Sequence, residues 1–239
     1  QKFIKKNNLH FEIIQKNKLI IEEEKERSEN LLLSILPQSI TEELKTHNIV
    51  QPKHYDQVSV LFSDFKGFTR ISEGLKPTEL LERLNIFFAL FDEISAEYNL
   101  ERIKTIGDAY MAAGGLPEAN VTNALDAVHA AMSIQQALRD TKFKLGIPEH
   151  EWEMRVGVHT GPVVAGVVGT TKFAYDIWGD AVNIASRLES KSEAGQVNIS
   201  KDTYNLIKDH YECQYRGEIE IKNRGKIDMY FVVGPKQDT

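Results

Sequence analysis

The sequence predicts an α+β domain, a ferredoxin-like split βαβ sandwich with extensions, preceded by an N-terminal helix. Three observations carry that expectation. "QVSVLFSD" (57–64) is a run rich in β-branched and aromatic residues that stops on an aspartate; two long segments repeat apolar residues at helical spacing; and a Gly-Asp pair separates two short β-rich runs. In "PTELLERLNIFFALFDEISAEY", Leu80, Leu84, Phe87, Phe88, Phe91, Ile94 and Tyr98 form one helical face, with Pro77 suited to the first turn. "ERIKTIGDAYMAAGG" reads as a hairpin turning at Gly107-Asp108. Ala124, Ala127, Val128, Ala131, Ile134 and Leu138 mark a second core-facing helix. "EMRVGVHTGPVVAGVVG" alternates Met154, Val156 and Val158 and is expected to turn back at "HTGP" as another hairpin.

Residues 1–48 differ from 49–239 and are expected to form a separate helical stalk. The first 45 residues have dense charge, no glycine and one proline, Pro37, which should end or kink a helix. Leu9, Ile13 and Ile20 sketch an apolar stripe, but Lys16, Asn17, Glu24 and Arg27 interrupt its heptads. A solvated charged helix is one reading; a parallel stalk joining two copies to an upstream sensor is preferred. The chain opens on Gln1 without a signal-peptide pattern and is expected to be part of something longer.

Composition excludes several classes. A net charge of −6 over 239 residues argues against a nucleic-acid binder. No apolar stretch approaches the length of a membrane span. Cys213 is the one cysteine, so no intrachain disulfide forms and a reducing, cytoplasmic setting is expected, either free or as the cytoplasmic part of a membrane-attached protein. His129 and His159 lack zinc-ligand spacing.

Chemistry enters with the carboxylates. Asp64 ends the first strand, and Asp108 stands at the hairpin tip 44 residues later. Taken singly, each also fits an ordinary turn residue. If their strands pair, the two converge at one sheet edge, where two hard anionic donors suit Mg²⁺ with substrate phosphates and water. Asn183 and Arg187 in "DIWGDAVNIASR" stand at i and i+4 on one helical face, facing one cleft or, alternatively, lying on the solvated side of an ordinary amphipathic helix.

"VLFSDFKGFTRISE", "IKTIGDAYMAAGGLPE", "MRVGVHTGPVVAGVVG" and "YDIWGDAVNIASRLES" together resemble the catalytic domain of class III nucleotide cyclases, the adenylyl and guanylyl cyclases, and "ERSENLLLSILPQSI" resembles the transducing helix that precedes such domains. The resemblance implies a head-to-tail dimer with active sites between subunits, and an upstream sensor or membrane domain. It implies two divalent metal ions, Mg²⁺ or Mn²⁺, held by Asp64, Asp108 and the Phe65 carbonyl; Asn183 orienting the ribose; Arg187 on the α-phosphate; and Arg155 and Lys222 on the outer phosphates, with Arg224 able to stand in for Lys222. At the positions that choose the base it puts Lys104 and Asp176, where guanylyl cyclases carry glutamate and cysteine. A donor-only lysine and an acceptor-only aspartate complement the N1 acceptor and N6 donor of adenine; the alternative is that the two belong to surface ion pairs. The expected activity is therefore adenylyl cyclase, making cyclic AMP and pyrophosphate from ATP. The alternatives are guanylyl cyclase activity and a silent dimerisation or regulatory module, the latter disfavoured because no implied site residue is missing. A cyclase condensing two GTP molecules would want a "GG-E-F"-type turn where this chain has "IGDAY".

Overall fold

The computed structural model describes residues 2–169, 171–221 and 225–236. In chain order the elements are α1 (Lys2–Leu33), α2 (Gln38–His47), β1 (Lys53–Phe65), α3 (Phe68–Glu73), α4 (Pro77–Glu97), β2 (Leu100–Ile106), β3 (Ala109–Gly114), α5 (Asn123–Lys144), β4 (Met154–Val168), β5 (Ala174–Trp178), α6 (Asp180–Ser190), β6 (Val197–Ser200), α7 (Lys201–Ile207), β7 (Tyr211–Ile221) and β8 (Gly225–Pro235). The strands form one sheet in the order β2-β3-β1-β4-β6-β8-β7, with β5 pairing β4. Its β2-β3-β1-β4 part is antiparallel throughout, with the connectivity expected of a split βαβ unit. The remaining strands extend that unit beyond β4.

The chain divides into two compact units, Gln1–Gln51 with Val167–Tyr175, and Pro52–Gly166 with Asp176–Thr239. In the first, Pro37 stands immediately before α2 with φ −55°, and Asn48 closes that helix at φ 56°, its N–H donating to the Leu44 carbonyl. Lys45 reaches Glu29 at 2.9 Å, joining the two helices. Along α1, Ile14, Ile21 and Leu31 are exposed. No helix among the described residues is long and apolar enough to cross a membrane.

The second unit is organised by the two faces of β1. Leu61, Ser63 and Phe65 point one way, joined by Val156 and Val158 of β4, and Leu61, Phe65 and the two valines share a core with Phe87 and Phe91 of α4 and Val128, Ala131 and Ile134 of α5. Phe65 meets Phe87 at 5.6 Å and Trp152 edge-on at 5.1 Å between ring centres. Each such fully buried side chain contributes about 1.5–3 kcal/mol. Phe62 and Asp64 point the other way, level with Met111 and Gly157.

That second face receives α6 at closest range over Gly157. A Cβ there would lie 2.1 Å from the Glu189 nitrogen and 2.6 Å from the Ala185 carbonyl oxygen. Both are backbone atoms, so nothing local can give way. Gly157→Ala is expected to lower unfolding free energy by about 3 kcal/mol or more, read by urea denaturation, since overpacking against rigid backbone exceeds the usual 1–3 kcal/mol.

The expected "HTGP" turn does not form. β4 runs unbroken from Met154 to Val168, pairing β1 from Phe65↔Met154 to Lys53↔Ala165. The register shifts between Tyr55 and Val58, so that two β1 residues lie opposite Pro162 alone. A bulge tolerates a residue with no ladder N–H to donate, so the Gly-Pro pair becomes a defect inside a strand instead of its end.

Candidate active site

Three strand ends build the first cluster. Asp64 is the penultimate residue of β1, on the face opposite its buried neighbour Phe65, which therefore offers the surroundings only its backbone. Asp108 follows Gly107, whose φ of 64° supplies the left-handed turn between β2 and β3. The Ser63↔Tyr110 register brings that turn beside the end of β1. Burial, and then the Asp64 carboxylate beside it, push Asp108 up to about 6, against weaker lowering by its own and Phe65's backbone N–H groups. Two carboxylates in contact resist ionising together.

Arg155 enters from the Asp64↔Arg155 pair of β1 and β4. Its Nη2 donates to Asp64 Oδ2 at 2.8 Å, and its Nε lies 3.0 Å from Glu189 Oε1 of α6. In the second contact the N–H is not aimed at the oxygen, so the pair is ionic without a hydrogen bond. The sequence reading missed Glu189; its position two residues beyond Arg187 was the available signal, since it faces the sheet while Arg187 faces away.

Lys104 and Asp176 form a second cluster, with Nζ to Oδ2 at 2.6 Å, while Asp176 Oδ1 accepts from the Ile177 N–H at 2.8 Å. The lysine reaches this face through a bulge: the β2–β3 register shifts between Arg102 and Lys104, pairing Lys104 with Met111. In unshifted pairing it would oppose Tyr110 and point into the helix-covered core, since one residue of slip exchanges the faces.

Asn183 and Arg187 are exposed along α6, whereas Ile184, Ala185, Leu188 and Glu189 are buried. Among the described residues neither side chain has a partner. At 100° per residue, Arg187 and Glu189 point about 200° apart. With Glu189 turned to Arg155 and Asp64, the Asn183/Arg187 face is turned away from that cluster. One copy therefore brings together Asp64, Asp108 and Arg155, and separately Lys104 and Asp176, but not Asn183 and Arg187 with the aspartates. Lys222 and Arg224 lie outside the described residues.

The donor set fits a divalent cation. Two carboxylates in contact and an adjacent backbone carbonyl are hard oxygen donors. After burial, the neighbouring Asp64 carboxylate contributes to raising Asp108, a repulsion that a cation between the two would relieve. Among the described residues no larger His, Cys, Asp or Glu group forms a rival metal site.

The model for the adenylate and guanylate cyclase catalytic domain matches residues 50–234. An adenylate cyclase of Mycobacterium tuberculosis is 39% identical over 219 residues, covering 91% of this chain and 48% of that protein. Retinal guanylyl cyclase 2 of Bos taurus is 38% identical over 229 residues, covering 94% of this chain and 21% of that protein. The chain thus spans about half or less of these relatives. Among solved structures, the guanylate cyclase domain of RhGC from Catenaria anguillulae in complex with GTP superposes with TM-score 0.72 at 36% identity, covering 77% of this chain and 100% of that one. The adenylyl cyclase CyaB from P. aeruginosa superposes with TM-score 0.73 at 32% identity, covering 79% and 99%.

Proposed function

The chain belongs to the family of adenylate and guanylate cyclase catalytic domains, and from that premise we propose that it converts ATP to 3′,5′-cyclic AMP and pyrophosphate as a homodimer with two equivalent sites. Residues 49–239 are the catalytic domain, and residues 1–48 are the stalk through which an upstream domain acts. Overall similarity does not choose the base, since an adenylate cyclase and a guanylyl cyclase match at 39% and 38% identity. The observation that carries the adenine reading is the Lys104–Asp176 pair at 2.6 Å. It presents one donor and one acceptor side by side, matching N1 and N6 of adenine. Guanine would set the lysine against ring donors and the aspartate against O6, leaving polar groups unpaired.

Asp64, Asp108 and the Phe65 carbonyl of one copy would hold the divalent cations. Mg²⁺ or Mn²⁺ bound there would supply acidification of the ribose 3′-hydroxyl and neutralisation of the triphosphate. The partner copy supplies Lys104 and Asp176 to the base, Asn183 to the ribose and Arg187 to the α-phosphate. Arg155 and Lys222 bind the outer phosphates. The 3′-hydroxyl releases its proton to solvent as its oxygen attacks the α-phosphorus, the bond from that phosphorus to the bridging oxygen breaks, and pyrophosphate leaves. Little covalent work falls to the protein; positioning and preorganised charge dominate. The exposure and missing partners of Asn183 and Arg187 support a shared site, because catalytic groups facing solvent in one copy need a second copy to meet the aspartates.

The test is initial rates with ATP and GTP in parallel, with Mg²⁺ and then Mn²⁺, over a range of protein concentrations. Cyclic AMP is expected, with specific activity rising with protein concentration. A higher kcat/KM for GTP would overturn the base assignment, and no cyclic product from a demonstrated dimer would favour the regulatory module.

A further inference from the structure

Glu189 holds a place that the proposed mechanism does not explain. It is 6% exposed, yet its Oε1 makes no hydrogen bond. Burial raises its pKa, and Arg155 is the main opposing influence. A carboxylate in the last turn of α6 also meets the negative end of the helix dipole, so local helix stability does not account for it. Its position is nonetheless fixed, because its own backbone nitrogen occupies the space over Gly157, two residues along β4 from Arg155. A buried acid thus stands anchored beside a guanidinium whose other partner, 2.8 Å away, is Asp64.

The arrangement sets two carboxylates in competition for one guanidinium. A cation on Asp64 and Arg155 on Asp64 Oδ2 oppose each other, since both draw on the same negative charge. We propose that Glu189 is a positioning residue that retains Arg155 when a divalent cation takes Asp64, so that it sets both cation affinity and the binding of the nucleotide's outer phosphates. Without it, Arg155 closes fully on Asp64, the cation must displace an undivided ion pair, and the guanidinium loses its anchor facing the phosphate chain. This rests on the reading of Asp64 as a cation ligand.

Mn²⁺ binding in the absence of nucleotide, followed by electron paramagnetic resonance on the dimeric protein, reads the first effect; KM and kcat for ATP read the second. Glu189→Gln keeps shape and removes charge, whereas Glu189→Asp keeps charge and shortens reach. Both are expected to weaken Mn²⁺ binding about five- to tenfold and to raise KM similarly with a smaller change in kcat, the signature of lost ground-state binding. In an Arg155→Ala background, Glu189→Gln should add no further loss. Wild-type Mn²⁺ affinity in Glu189→Asp would reduce Glu189 to a diffuse charge and overturn the proposal, as would full additivity with Arg155→Ala. Asp64→Asn separates the two levels. Weakened Mn²⁺ binding in that variant keeps the cation reading whatever Glu189 does, and wild-type binding there would remove both.

Discussion

Asp64→Asn and Asp108→Asn are each expected to lower cyclic AMP formation by about 10³-fold or more, a loss of at least about 4 kcal/mol in transition-state stabilisation, with the fold and any dimer left intact. The reason is the donor set: an amide oxygen is a weaker ligand than a carboxylate and leaves the triphosphate charge uncompensated. Stability moves the other way for Asp108. Its pKa is raised in the folded chain, from 3.8 to about 6, so cation-free protein loses stability as pH rises through that window. An amide does not titrate, so Asp108→Asn should give the more stable protein above about pH 6, by roughly 1 kcal/mol or less once solvent screening of this half-exposed group is allowed for. Thermal unfolding with and without a chelator, from pH 4 to 8, checks the sign. Wild-type turnover in either variant would dissolve the metal assignment.

Lys104→Glu with Asp176→Cys is expected to swing the ratio of kcat/KM for ATP over GTP by about 10²–10⁴-fold toward GTP. Sites built to hydrogen-bond one substrate reject its mismatched analogue strongly because buried groups are left unpaired. Each single substitution also breaks the 2.6 Å ion pair and leaves one group without its partner. Either single variant should therefore lose activity with both nucleotides before the double variant recovers it with GTP. An unchanged preference for ATP in the double variant would show that the base is read elsewhere.

The parts of this molecule legible in its sequence are those governed by local pattern. The faces of α4 and α5 follow from apolar spacing, and the hairpin at Gly107-Asp108 follows from a glycine able to take φ 64°. The convergence of Asp64 and Asp108 needed only that their strands pair. Features set by register were not legible. Pro162 looks like a turn residue until the bulge opposite it is known, and Lys104 reaches the site face only because β2 carries one extra residue before it. Glu189 escaped notice because its significance lies in a contact with a residue 34 positions away across the packing of α6 on β4. Four ordered sequence motifs made the family readable, whereas the orientation of Asn183 and Arg187 away from the aspartates is a property of three-dimensional packing alone.

The most direct test mixes two inactive proteins. Asp64→Asn removes the cation half of each site, and Arg187→Ala removes the partner's half. Each homodimer carries two broken sites. In a mixed dimer both lesions fall in one site and the other is intact, so equal mixing should restore cyclic AMP formation to about a quarter of the wild-type rate, half the dimers being mixed and half their sites whole. Recovery on mixing, lost on dilution, is the result a shared site requires. A mixture as inactive as its components, with subunit exchange demonstrated, would contradict it and put the whole site within one chain.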